Sequence, residues 1–500
     1  MALNSITVPA PTRGWNANTP IDAMDPADAI DMVNVFPSTS NAVLRNGFSS
    51  FVTGLGATVQ TLAEYVANDG TRRLIAGANN KLWQVAGASL SSTTASSITS
   101  DKWQYVNFMD KLVLVNGADT PLQYDSTSGA ASLTITGSGL ASTDLVNVSV
   151  YKQRLYYVEN QTASIWYGST STVGGATTEF DVSDVLQLGG QIMFAGSLSR
   201  DTGSGLIDAF IIVSDQGEVL VYEGDDPGAS NWGLTGRFLL PPPLGRRAFV
   251  GIENELYILT EGGVTPVSKL LGFSDVSGAA TFVTGRIREA FITAAKAYNS
   301  NFGWDAVSYP RGRYALINIP IASDTNYEQY VMNVQTGAWC KFTGMHGSSW
   351  SLFNNSLYFG GIDGVIYKAD DGTDDNGNSI EVELKWAFNY ANDRAQVKRF
   401  TMAKPIFTGE SSIIFGFSID TDFKDSTSTA TASIIGNPGS AWDTSAWDTA
   451  TWENSGTYKA DWRSIEGIGR AFALKIQGSF KNAPFTISAA PVIYETGGVL

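Results

Sequence analysis

The stretch Asn355-Ser-Leu-Tyr-Phe-Gly-Gly-Ile-Asp-Gly-Val-Ile-Tyr-Lys368 holds two runs of strand formers around a turn. Leu357, Tyr358 and Phe359 make the first run, and Val365, Ile366 and Tyr367 the second. The Asp363-Gly364 pair between them supplies the positive φ that a tight β-turn needs. The same plan recurs along the chain. Leu74-Ile75 and Leu82-Trp83 flank Gly77–Asn80, and Leu112–Val115 and Leu122–Tyr124 flank Asn116–Asp119. Leu155–Val158 answers Ile165–Tyr167, Phe210–Val213 answers Val219–Tyr222, and Leu256–Leu259 answers Val264–Val267. Tyr314–Ile319 and Tyr330–Val334 form a longer version, ended by Thr336-Gly337 and Trp339.

The first four hairpins close on Trp83, Tyr124, Tyr167 and Tyr222, and the fifth on Val267. These positions recur at roughly the 40–50-residue period of a propeller blade. A hairpin cannot bury both faces alone, so the repeat predicts sheets stacked around an axis. The expected fold is all-β, a β-propeller of about seven blades. Two β-sandwiches are the alternative, but their turns fall every 8–12 residues. One helix interrupts the array: Ile287, Phe291, Ala294, Ala295 and Tyr298 recur at helical spacing within Gly285–Tyr298.

Three segments follow from this reading. Residues 1–49 read as an extended N-terminal arm with a short helix. Asp25 suits an N-cap, Pro26 the first helical position, and Ala29, Ile30, Met32 and Val33 the apolar stripe. The arm is too poor in apolar residues to fold alone, so it is expected to lie along the main body or a neighbour, and its removal through residue 48 to leave the array folded. Residues 50–370 are the propeller. Residues 371–500 read as a C-terminal β-sandwich-like domain with a Trp-rich insert at 420–460. In that insert Trp442, Trp447 and Trp452 recur at period five. They either tuck onto the sandwich or serve as partner contacts, since tryptophan is a favoured anchor.

Composition narrows the function. The chain has 500 residues, 51 glycines and a formal net charge of −16. That charge opposes sequence-reading of DNA, which needs a basic face. Cys340 and His346 are the only residues of their types, which excludes a disulfide framework and Cys/His zinc sites. The acidic run Asp370–Asn378 departs from the calcium-loop pattern and reads as linker. A Ser-His-Asp or Cys-His site would depend on His346 alone. Paired carboxylates are too numerous to single one pair out. The doublets Arg72-Arg73 and Arg246-Arg247 read as solvated. No cofactor, metal or catalytic residue is expected. Met1–Asn16 lacks a signal-peptide pattern, and no apolar run reaches membrane-span length.

The order of features resembles the tail nozzle proteins of short-tailed bacteriophages, of the tail-hub or packaged-DNA stabilisation type. Trp15–Pro20, Ala27–Asn34 and Leu44–Phe48 resemble their opening, and Leu256–Val264 one of their blade hairpins. Tyr309–Pro320 with Val331–Trp339 is similar again, as is Ile465–Phe472 through Tyr494–Gly498. The resemblance implies a structural virion protein of the tail, assembled in the host cytoplasm into a homohexameric ring. It implies contact with the tail adaptor ring protein, and with tail fibres or spikes. Packaged DNA would pass through without sequence-specific binding and be retained until ejection. A receptor-binding or glycan-cleaving tail protein and a non-viral scaffold propeller are the rival expectations.

Overall fold

In the computed structural model, residues 3–86, 89–201, 206–252, 255–270, 282–409, 413–426, 430–434 and 458–497 are described. The hairpin read first is present: Ser356–Gly361 pairs with Ile366–Ala369, with Phe359 opposite Tyr367. Gly364 has φ +75°, and Asp363 anchors the turn by accepting from the Val365 N–H and the Tyr367 hydroxyl.

Each blade is an antiparallel sheet whose second strand is apolar on both faces. In the first blade (Thr61–Val66, Arg72–Ala78, Lys81–Ala86, Ser89–Ser96), Leu74 and Ala76 face one neighbour while Ile75 faces the other. In the second (Gln104–Phe108, Lys111–Val115, Leu122–Asp125, Gly129–Ser132), Leu112 and Leu114 pack backwards, Val113 and Val115 forwards. The third (Leu145–Tyr151, Arg154–Glu159, Ser164–Tyr167, Thr178–Asp181) divides Leu155 and Tyr157 from Tyr156 and Val158 in the same way. The fourth (Ile192–Asp201, Leu206–Ser214, Glu218–Glu223, Gly233–Leu239) divides Phe210 and Ile212 from Ile211 and Val213. A strand buried on both faces needs a sheet on either side, and only radial stacking provides that for every blade in turn.

The fifth blade has three strands, Phe249–Ile252, Glu255–Thr260 and Gly263–Pro266. The sixth joins Gly347–Phe353, Ser356–Gly361 and Ile366–Ala369 to Phe48–Val52 from the far end of the chain. The count is therefore six, not about seven. The hairpin of Tyr314–Ala322 and Asn326–Asn333 forms no blade of its own. With Asp305–Tyr309 and Trp339–Phe342 it belongs to a ten-stranded sheet. That sheet runs on through Gly14–Trp15, Asp28–Val33, Ile380–Trp386, Phe472–Phe480, Ile413–Thr421 and Ala430–Ile434. Asp305–Tyr309 packs between the first strands of the fifth and sixth blades. The expected helix is also present, as a 3-10 turn Val283–Ile287 leading into Arg288–Tyr298, with Ile287, Phe291, Ala294 and Ala295 buried.

The N-terminal segment corrects the sequence reading. Asp28–Val33 is a strand, and the Asp25 side chain caps a turn by accepting from the Ala27 N–H. Pairing on both sides, parallel to Gly14–Trp15 and antiparallel to Ile380–Trp386, overrides the local helix signal. The segment does lie along the main body, and it does so as strands of its sheets. Leu3–Pro9 pairs along Thr486–Thr496, and Ala42–Leu44 extends the same eight-stranded sheet. The eight- and ten-stranded sheets pack face to face, with Phe400 4.6 Å from Phe472 and Phe407 5.0 Å from Phe415. This is a sandwich whose inner sheet continues into the propeller, so sheets cross both expected boundaries, at residues 49 and 370. Trp442, Trp447 and Trp452 lie outside the described residues.

Gly47 marks the tightest crossing. A Cβ there would lie 1.7 Å from the Asp374 carbonyl oxygen. Gly47→Ala is expected to cost about 2–4 kcal/mol, because backbone on both sides must shift. Gly70→Ala, where a Cβ meets open space at φ +86°, should cost about 1–2 kcal/mol. Urea midpoints of the two variants measure the difference; equal midpoints would contradict the close approach.

Candidate functional site: the axial cavity of the propeller

The strand that opens each blade runs nearest the axis, and four such strands, with Asp305–Tyr309 of the ten-stranded sheet, line a polar cavity of 410 Å³. Leu62 and Glu64 come from the first blade, Tyr105 and Asn107 from the second, and Phe249 from the fifth. Trp350 and Ser351 come from the sixth. Asp305 opens the strand between the fifth and sixth blades. Arg247 enters from the loop that follows Pro241–Pro243.

Arg246-Arg247 reads as solvated in sequence; both side chains are instead half-buried and hydrogen-bonded to the chain. Arg247 donates to the Gln60 carbonyl at 2.9 Å, to Thr61 Oγ1 at 2.9 Å and to the Trp103 carbonyl at 2.8 Å. Arg246 reaches the Met193 carbonyl at 3.3 Å and Asn160 Oδ1 at 2.9 Å. Both are held by chain that bends away from its own sheet after the prolines. Arg72 pairs with Glu64 at 2.8 Å, so that cation too is engaged.

Burial sets the electrostatics. It pushes Asp305 up to about 6, against the opposing pull of Arg247 and of the Ala306 and Trp350 N–H groups. It pushes Tyr105 up to about 12, with the Asp305 charge adding to the effect. Burial also lowers Arg247 below the usual arginine range, with Asp305 opposing. The cavity thus holds a carboxyl poised near neutrality beside a protonated phenol and a cation. Glu64, the other carboxylate in the lining, already accepts from Arg72 and from the Asn354 N–H.

Asp305 binds its proton more tightly folded than unfolded, so its contribution to stability is complete below pH 3.8 and is lost as pH rises to about 6. Asp305→Asn is expected to stabilise the protein by about 1–2 kcal/mol at pH 8, discounted for partial exposure, and not at pH 4. Thermal melts at the two pH values check this. A loss at pH 8 would mean that the pairing with Arg247 outweighs the desolvation.

The residues singled out from sequence lie elsewhere. His346 is exposed, with Nδ1 3.5 Å from the Tyr327 N–H. Cys340 is buried, and its thiol is pushed well above its usual range by that burial. The acidic linker is paired with neighbouring segments: Asp375 meets Arg45, Asp371 meets Lys368 and Asp370 meets Asn46. Sequence reading missed Tyr105, Arg247 and Asp305 because it read each hairpin but not the strand before it. Register supplied the unused signal: Tyr105 and Asp305 lie within two residues of the start of an axis-lining strand.

Fold and site define a six-bladed β-propeller protein with an occluded polar axis, fused edge-on to a β-sandwich. Among solved structures the chain is similar to BBS1N in complex with ARL6DN, at 11% identity, 66% of this chain and 98% of that one, with TM-score 0.43. It is similar to the computationally designed Ika8 protein at 11% identity, over 64% of this chain and 99% of that one, with TM-score 0.35. Raptor of Chaetomium thermophilum matches at 9% identity, over 67% of this chain and 30% of that one, with TM-score 0.42. No family model and no curated protein sequence matches the chain.

Proposed function

We propose that the chain is a structural subunit of a virion, a tail nozzle protein of the short-tailed bacteriophage type. Closed into a ring of like subunits, six by the resemblance, it surrounds the path of the departing genome and retains packaged DNA until ejection. The observation that carries this reading is the joining of propeller and sandwich into one body. Residues 3–52 complete sheets in both, and the ten-stranded sheet passes through each. A subunit built without a free hinge suits a ring that must hold a pressurised genome.

Two further observations support it. An axial cavity of 410 Å³ crossed by Arg247 has no room for a duplex whose major groove alone is about 12 Å wide. DNA would therefore pass between subunits rather than through one. The outer face of the eight-stranded sheet also exposes Leu3, Met402 and Ile468 on its strands, with Leu3, Glu495, Arg399 and Ile468 in one cross-strand row. Exposed apolar groups on a sheet face suit a subunit or adaptor-ring contact. The charge of −16 per chain would keep the wall from holding DNA phosphates.

Electron microscopy and mass measurement of the purified chain, with a duplex titration at low and moderate salt, test the reading. A six-membered ring with weak, salt-insensitive DNA binding is expected. A monomer at every concentration, or tight binding with a steep salt slope, would overturn it. One observation favours the glycan-cleaving alternative: Glu64 and Asp305 line one cavity beside Tyr105 and Trp350. Depletion of a bacterial surface polysaccharide by the chain, abolished by Asp305→Asn, would establish that alternative instead.

A further inference from the structure

A second axial cavity, of 340 Å³, opens on the other side of Arg247 from Asp305, where the axis-lining strands begin. Its charge is opposite to that of the chain. Lys102, Arg246 and Arg247 line it, with Ser100, Gln104, Asn116, Asn299 and Asn301, and among the described residues no carboxylate takes part in the lining. In a protein with 48 acidic and 32 basic residues, three cations sharing one concavity without an acid is not what random placement gives.

The three cations are also held open. Lys102 Nζ lies over the Phe302 ring at 4.4 Å, and the Arg247 guanidinium over the same ring at 5.2 Å. The aromatic face keeps both charges at the cavity without neutralising them. Arg246 and Arg247 bond only to carbonyl, amide and hydroxyl oxygens in the contacts given above. Among the described residues, none of the three lies within ion-pair distance of a carboxylate, although Lys111, Arg154 and Lys368 each have such a partner. The acids nearby are engaged elsewhere. Asp119 accepts from Asn116 and from the Thr99 and Ser100 N–H groups, and Glu261 accepts from Asn299. Asp215 acts on Arg246 through space, as Asp305 does on Arg247 from the far cavity.

We propose that this pocket binds a small phosphate-bearing anion, as inorganic phosphate or as the phosphoryl group of a monoester. Two guanidinium groups supply directional donors beyond those used in their bonds to the chain, Lys102 supplies a mobile point charge at the mouth, and Gln104 adds a side-chain amide; the amides of Asn116, Asn299 and Asn301 donate to the chain itself. Desolvation makes the empty site costly for Arg246 and Arg247, whose charged forms burial disfavours. A dianion placed among the three cations offsets that cost, so binding should also raise the melting temperature. The proposal stands on the pocket alone and does not depend on ring formation.

The test is calorimetric titration of the intact chain with inorganic phosphate, against sodium chloride at equal ionic strength. Saturable one-site binding is expected, with Lys102→Gln weakening it about tenfold. Because Lys102 is exposed and gives up only the contact with the Phe302 ring, that variant should melt close to the wild-type temperature without phosphate. Absence of saturable binding, or equal affinity in Lys102→Gln, overturns the proposal. A short single-stranded oligonucleotide is the third arm: displacement of phosphate by it at lower concentration would assign the pocket to nucleic acid and overturn the small-anion reading.

Discussion

Deleting residues 1–52 is expected to leave a chain that no longer folds. The low apolar content of this segment suggests a dispensable arm, but its side chains are not spent on solvent. Val8, Ala10, Trp15, Ala29, Met32, Val35, Ala42, Leu44, Phe48 and Val52 are all buried. At about 1.5–3 kcal/mol for each large apolar side chain, the seven among them account for about 10–20 kcal/mol, comparable with the whole 5–15 kcal/mol by which domains are stable. The topology makes matters worse. Phe48–Val52 is the strand that closes the sixth blade onto the chain's other end, and Leu3–Pro9 covers Thr486–Thr496. Without them two sheet edges open, and unpaired edges invite association. Circular dichroism, a urea melt and size exclusion of residues 53–500 check the expectation. A monomeric fragment with native β signal and a cooperative melt would show that propeller and sandwich stand without the N-terminal strands.

How far the sequence disclosed this fold follows from which interactions are local. Each of the seven hairpins is present, because strand formers flanking Asn, Asp or Gly turns need only neighbours to be recognised. Phe48 was legible as the entrance to a strand, but its partner Ala369 lies more than 300 residues away, and nothing local names it. The short helix at Asp25 failed for the same reason. Asp-Pro followed by an apolar stripe is a sound local signal, yet Ala29 and Met32 are buried between two strands that sequence order does not suggest. The Tyr314–Asn333 hairpin is legible in the sequence but does not count as a blade, since beyond its neighbours Asp305–Tyr309 and Trp339–Phe342 its sheet runs on into residues 14–33 and 380–386. The axial residues were the least legible. Arg247 looks like half of a surface doublet until Gln60, Thr61 and Trp103 close around it.

Replacing Arg45 should cost about 3–5 kcal/mol, a large part of the stability of a domain. Its guanidinium is 1% exposed and meets Asp375, itself 9% exposed, through two bonds of 2.8 and 2.7 Å. Its remaining donors reach Asn34 Oδ1 at 2.8 Å and the carbonyls of Asn46 and Thr343. One side chain thus ties the N-terminal segment to the ten-stranded sheet and to the linker that follows the sixth blade. Arg45→Ala leaves Asp375 charged in a site already taken from water, and unpaired buried charge costs about 3–5 kcal/mol. Arg45→Lys should recover little, because an ammonium cannot span both carboxylate oxygens and still reach Asn34. Arg13 is the control: its pair with Asp25 leaves both side chains more than 40% exposed, and the buried Asp28, which Arg13 also meets at 3.4 Å, keeps Arg286 at 2.8 Å, so Arg13→Ala should cost about 1 kcal/mol or less. Removing both charges, as Arg45→Met with Asp375→Leu, should restore part of the loss, since the cost lies in the orphaned charge rather than in the missing bond. Urea denaturation of the four variants separates these terms. If Arg45→Ala falls by no more than Arg13→Ala, water reaches the site and Arg45 does not hold the three segments together.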